Sequence, residues 1–464
     1  MKAPLPILVF STLSFSAFAT QWQVGTGQTF TAPSQVASSV ADGDTVNILA
    51  GTYPSDVTNW TANDLLLRGI GGMAHLESNG LAWGEKGIWV IQGDRTTVDH
   101  IEFSECSVPD QNGAGIRLEG HHLTVRNCYF HDNENGILAG TVDPSTIRIE
   151  HTEFDHNGFG DGQSHNLYIN NVDSLIFRYN YSHHAHVGHE LKSRAHVNMI
   201  EYNRFSNEAT GDASREIDLP NGGTTYLIGN VIQQGLLAEN SNLVGFGLEG
   251  LSNPTPHELY AINNTLVNER SAGSFFSIAS ATAFKAYNNI LAGQGQFMAN
   301  AFPLQTDTAG NLKEPLIALV GFANPTNYDY HFAGDSPAQN IGIPAGLSSS
   351  GYPLVAWDEY AHPLGRTERC QHALLDAGAF ESCTTGLQEL DSTSVLIWPN
   401  PASDVVHVRS TSAERSVSLL DLQARNIYAS SSRNGDHIDV DVSNIAPGVY
   451  FLQIGLRAVR LVVE

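Results

Sequence analysis

The chain has 464 residues, with 48 acidic side chains against 23 basic ones and a formal net charge of −25. That balance repels nucleic acid and anionic membranes and excludes both as partners. An acidic polymer could approach only through a bound cation or a local basic cluster.

Residues 1–19 read as a signal peptide. Lys2 is its basic end, Pro6–Ala19 is apolar but too short to span a bilayer, and Ala17-Phe18-Ala19 fits a small-residue cleavage site. No later run reaches the roughly 18 to 20 apolar residues of a membrane helix, so an exported monomer without a transmembrane segment is expected. Four cysteines in an exported chain favour disulfides over metal. Cys370 and Cys383 close a short loop and are the expected pair, whereas Cys106 and Cys128 lie about one repeat apart at different repeat positions, which leaves their pairing open.

From residue 101 onward an apolar-x-polar-Asn-x-apolar pattern recurs. Its last apolar position runs Phe103, Phe130, Phe154, Ser182, Phe205, Ile232, Leu266, Leu291, in steps of 27, 24, 28, 23, 27, 34 and 25 residues. Short β-type pieces at such a period, without helical stretches, predict one strand set per turn of a solenoid. Asn180, Asn203, Asn230, Asn264 and Asn289 fall in one column, where stacked amides can hydrogen-bond along an inner turn. Residues 384–394 are polar and unpatterned and read as a linker.

Three copies of one short pattern, Asn166-Leu167-Tyr168-Ile169, Glu190-Leu191-Lys192-Ser193 and Glu216-Ile217-Asp218-Leu219, predict the site. Strict strand alternation sends Leu167, Leu191 and Ile217 inward, and Asn166, Glu190, Glu216, Tyr168, Lys192 and Asp218 outward. Carboxylates stacked about 4.8 Å apart repel unless a cation lies between them, so Asn166, Glu190 and Glu216 are expected to hold Ca²⁺ through hard oxygen donors. His165 and His189 each precede an outward residue and are the preferred sugar-contacting histidines, ahead of a transition-metal cluster among His131, His151, His156, His183, His184 and His186. Arg117, Asp218 and Phe246 complete the expected substrate-binding set, with Tyr168, Tyr202 and Trp89 as further aromatics for sugar stacking.

The repeats resemble the right-handed parallel β-helix proteins of the pectate-lyase-like superfamily. That resemblance implies a right-handed single-stranded parallel β-helix over residues 20–384; with a linker at 385–394 and alternating strands at 395–464 that read as a small C-terminal β-sandwich module, the whole is expected to be all-β. It also implies a short cap helix at Pro33–Val40, a first coil marked by Ala41-Asp42-Gly43-Asp44-Thr45-Val46, and closure of the solenoid by Asp376-Ala377-Gly378-Ala379-Phe380-Glu381. The pieces Trp398-Pro399-Asn400-Pro401, Leu420-Asp421-Leu422 and Ile445-Ala446-Pro447-Gly448-Val449-Tyr450 resemble the C-terminal sorting domain of type IX secretion substrates, which implies that machinery as partner and a secreted or cell-surface product.

Lys192-Ser193 with Asn198, Asn203 and Phe205 at matching distances is similar to polysaccharide lyase family 6, the alginate and chondroitin lyases. The likeness implies Lys192 as catalytic base in calcium-assisted β-elimination on an acidic, uronate-containing polysaccharide. The family's Arg-His-Gly segment is replaced by Asp218-Leu219-Pro220-Asn221-Gly222, so Arg194, Arg215, Tyr168 and His189 are the candidates for the second catalytic residue. A C5-epimerase, a glycoside hydrolase using Glu190, Glu216 and Asp218, and a non-catalytic glycan-binding adhesin are the competing readings. The 34-residue step between Ile232 and Leu266 is the expected wall of the site.

Overall fold

The computed structural model describes residues 19–299, 303–371, 374–382 and 396–464, apart from 410–416, 422–424, 428–429, 435–436 and 455–456. The expected signal peptide up to residue 18, the linker and Cys383 lie outside these residues. Parallel strands dominate, stacked into a solenoid of about 10 turns. A representative coil runs through Ser174–Arg178, Tyr181–His183 and His189–Ser193, and each strand pairs in parallel with its equivalent one coil later. The third strand of each coil forms a separate 10-stranded sheet among the described residues.

Two features of the sequence build the corners. Between the first two strands the chain bends at a left-handed residue, Asn127, His151, Tyr179, Tyr202, Gly229, Asn263 and Asn288 in successive coils, with φ between +52° and +66°. Asparagine is the side chain that tolerates this region best after glycine. The next residue then points inward. The expected amide column forms there: Nδ2 of Asn180 donates to Oδ1 of Asn203 at 3.1 Å, and the ladder continues through Asn230, Asn264 and Asn289 to Asn311 at 2.9–3.0 Å. Every rung is buried or nearly so, and each amide also satisfies a backbone carbonyl that would otherwise be orphaned.

The core is the apolar column between the ladders. Phe103, Phe130 and Phe154 stack with ring centroids 4.9 and 5.1 Å apart, the coil rise itself. Ser182 interrupts this aromatic column, and polar side chains fill the space it leaves.

Two expectations are corrected, and the open pairing of Cys106 with Cys128 is resolved. The cap is a single 3₁₀ turn at Pro33–Gln35, not a helix to Val40. Asp376–Glu381 does not close the solenoid end. It lies along the side of the coils, where Asn263 Nδ2 donates to the Asp376 carbonyl at 3.0 Å and the Ala379 amide donates to Thr265 Oγ1 at 2.9 Å. Tyr352 and Leu354 of the same return segment cover Tyr202, Tyr226 and Tyr260. Cys106 and Cys128 are free and buried, because each occupies a rung position at a different corner, Cys106 beside Asn133 and Cys128 beside Thr152. Cys370 is disulfide-bonded. Residues 396–464 form two four-stranded antiparallel sheets around Val406, Val408, Leu419, Val440, Leu452 and Leu461, a sandwich as expected.

Candidate functional site

The third-strand sheet carries the site on its outer face. Arg117, Leu138, Tyr168, Lys192, Asp218 and Gly245 are register partners in successive coils, so the expected column of Tyr168, Lys192 and Asp218 exists, with Arg117 two coils further along. The strand entry departs from simple alternation. Glu190 and Leu191 both face inward and are completely buried, while His189 and Lys192 flank them on the outer side.

Asn166, Glu190 and Glu216 are therefore not on the outer face, and the cause is a second ladder. Cys106, Asn133 and Asn157 form its first rungs, linked at 2.9–3.0 Å. The next coil offers Ala185, which has no side-chain amide to contribute. Asn166 takes the vacant rung, accepting from Asn157 Nδ2 at 2.9 Å and donating to Glu190 Oε2 at 2.6 Å, and Glu190 Oε1 in turn accepts the Ala185 amide at 3.0 Å. Burial pushes the Glu190 carboxyl up to about 8, and Glu216, stacked on it one coil later, is raised well above the ordinary carboxylate range by burial and by its neighbour. These three residues do not fit a calcium ion that reaches a substrate on the outer face. Asn166 Oδ1 and both Glu190 oxygens are engaged inside the solenoid, so no step of the chemistry is routed through them.

The outer face is instead a cationic island. Lys192 Nζ lies 3.6 Å from Asp218 Oδ2, and Arg215 Nη1 donates to Asp218 Oδ1 at 3.0 Å. Arg194 Nε donates to the Tyr168 hydroxyl at 2.9 Å, and another guanidinium nitrogen donates to Asn221 Oδ1. A residue with no repeat signature completes the group. Glu249, on the loop of the 34-residue step, reaches back so that Lys192 Nζ sits 2.8 Å from its Oε1 and Arg194 Nη2 sits 2.6 Å from its Oε2. These contacts hold the Glu249 carboxyl down to about 2 despite some burial. Three cations against two carboxylates leave a local surplus of positive charge on a strongly acidic protein. The only sequence signal for Glu249 was the surplus length of its coil.

His165 and His189 do reach this site, stacked with ring centroids 4.8 Å apart. The Nδ1 atom of each accepts a backbone N–H, from His189 and Arg215 respectively, which puts the His189 proton on Nε2, 3.6 Å from Asp218 Oδ2. Burial and the neighbouring Lys192 and Arg215 depress His189 to about 3, and burial holds His165 well below its usual range. Both imidazoles are neutral near pH 7, so His189 is not a proton-donating imidazolium. Phe246 and Trp89 are fully buried core residues, and Tyr202 is covered by the return segment; none contacts a surface ligand. The cleft lined by Leu236, Arg270 and Leu316 shares none of the residues of this face.

Residues 55–205 match the model of the right-handed β-helix region family, and residues 396–461 match the secretion system C-terminal sorting domain. Among solved structures, the crystal structure of pectate lyase Pel9A superposes with a TM-score of 0.56 at 13% identity, covering 79% of this chain and 97% of that one. No curated protein sequence matches. The fold is thus the right-handed parallel β-helix, and its C-terminal module is a type IX sorting domain that marks the protein for export to the medium or the cell surface.

Proposed function

We propose that this exported β-helix protein is a polysaccharide lyase that cleaves a uronate-containing polymer by β-elimination on the face around Lys192. The observation that carries this reading is the Glu249 carboxylate gripped by Lys192 and Arg194, since a site that binds a carboxylate in this way presents the groups a uronate carboxylate needs. The net acidity of the protein would otherwise keep such a polymer away.

In this reading the substrate's carboxylate displaces Glu249 and is held by Arg194, with Arg215 beside it. Lys192 Nζ, which acts as the base only after giving up its own ammonium proton to solvent, takes the proton from the carbon next to that carboxylate. The electron pair forms the C4=C5 double bond, the C4–O bond breaks, and the departing oxygen receives the Tyr168 hydroxyl proton. Arg194 Nε, already donating to that phenol oxygen, stabilises the charge developing there. The arginines supply the charge neutralisation that carboxylate-adjacent proton removal requires. A glycosidase reading is disfavoured because Glu190 and Glu216 are sealed inside the solenoid and Asp218 is tied to Arg215. The Pel9A superposition supports polysaccharide chemistry on this fold without naming the polymer.

The test is ultraviolet absorbance of unsaturated product on a panel of uronate polymers, comparing the exported protein with Lys192→Ala, each with added Ca²⁺ and with chelator. Absorbance should rise on one polymer class and fall about 10²- to 10⁴-fold in the variant, the range for losing a positioned base. The chelator arm reports any calcium requirement directly. No rise on any polymer would overturn the lyase reading, and proton exchange at C5 without chain cleavage would identify an epimerase.

A further inference from the structure

We infer that the outer face of the second-strand sheet, a different face from that of Lys192, holds a divalent transition-metal site formed by Asp155, His183 and His184. Glu153–Asp155 and Tyr181–His183 are register partners in adjacent coils, with Asp155 directly opposite His183. His183 Nδ1 lies 3.1 Å from Asp155 Oδ1 and 2.8 Å from His184 Nδ1. Two ring nitrogens at that separation share one hydrogen, which an ion bound to both would displace. All these atoms lie within 4.8 Å of one another.

The surroundings match a metal site beyond its ligands. The other ring nitrogen of His183, Nε2, lies 3.1 Å from Glu153 Oε1, the carboxylate–histidine–metal relay that fixes ring orientation. His156 stacks on His184 at 4.7 Å and bonds Asp155 through Nδ1. Tetrahedral zinc with bonds of about 2.0–2.1 Å has ligand edges of about 3.3 Å, so occupation requires the observed 2.8 and 3.1 Å to open by only a few tenths of an ångström. Two imidazoles with one carboxylate select zinc-like ions over calcium, which prefers six or more oxygens. His184 and Asp155 are partly exposed, which leaves an open coordination position. The other histidine–carboxylate group on this sheet, His75, Glu102 and His131, is less available. Ser104 Oγ occupies His75 Nε2 at 2.7 Å.

The experiment is calorimetric titration of the chelator-stripped full-length exported protein with ZnCl₂ and, separately, CaCl₂. The Co²⁺-loaded protein is then examined for the visible absorption of tetrahedral coordination. One zinc per chain is expected, with affinity falling about tenfold or more in His184→Gln and in Asp155→Asn. His75→Gln should leave it unchanged, and circular dichroism should show all variants folded. Absence of zinc binding overturns the proposal, as does binding that survives both site variants or is lost in His75→Gln.

Discussion

Glu190 gives the most demanding test of the interior. The folded state keeps its carboxyl protonated up to about pH 8, whereas the unfolded chain releases that proton near the ordinary value of 4.5. Between those values the folded state binds more protons, so this group's contribution is fully present below about pH 4.5 and is lost as pH rises through 8. The slope is at most about 1.4 kcal/mol per pH unit, and the whole change is about 5 kcal/mol. Glu190→Ala deletes this slope and also lowers the curve, by about 3 kcal/mol, through the cavity and the donors it orphans on Asn166 and Ala185. Denaturant unfolding at several values between pH 5 and 9 should therefore show a large deficit for the variant at pH 5 that closes, and then reverses, by pH 8 to 9. Glu216 titrates in the same direction and remains in the variant, so the difference between the two curves reports Glu190 together with the part of the Glu216 shift that Glu190 causes. Parallel curves would refute the assignment of a neutral, buried Glu190.

Other consequences are simpler to measure. Glu249→Gln removes the internal carboxylate that competes for Lys192 and Arg194, so KM for the uronate polymer should fall several-fold; a rise in KM would make Glu249 a substrate contact instead. Asn230→Ala breaks bonds to Ile200, Asn203 and Asn264 inside the first ladder and should cost about 3 kcal/mol in denaturant unfolding, several times an exposed Asn→Ala change. The Cys106 and Cys128 thiols, buried and pushed up to about 12, should be silent to a thiol reagent in the native protein and appear as two equivalents after unfolding. With His189 held at about 3, the pH profile of activity should lack a histidine limb between pH 5 and 8, and His189→Gln should leave its shape unchanged.

The sequence determined what repeats. A period in the twenties and an asparagine two places before each of the last five markers specify a coil and the amide ladder. Because equivalent residues of successive coils become hydrogen-bonded neighbours, the column of Tyr168, Lys192 and Asp218 was legible from spacing alone. Ser182 in an aromatic column was likewise a visible sign of a polar interior. What the repeat does not encode, only the tertiary structure decided. Whether Glu190 faces in or out depends on backbone geometry at one strand entry, and on an alanine at position 185 that left a rung for Asn166 and Glu190 to fill. Glu249 reaches Lys192 across 57 residues through a loop with no periodicity. The pairing of Asp155 with His183 needed the exact coil register, which a step of 28 residues leaves undetermined until the loops are placed. Periodic positions carry their spatial address in their spacing, whereas loop residues and strand ends acquire theirs only when the coils close on one another.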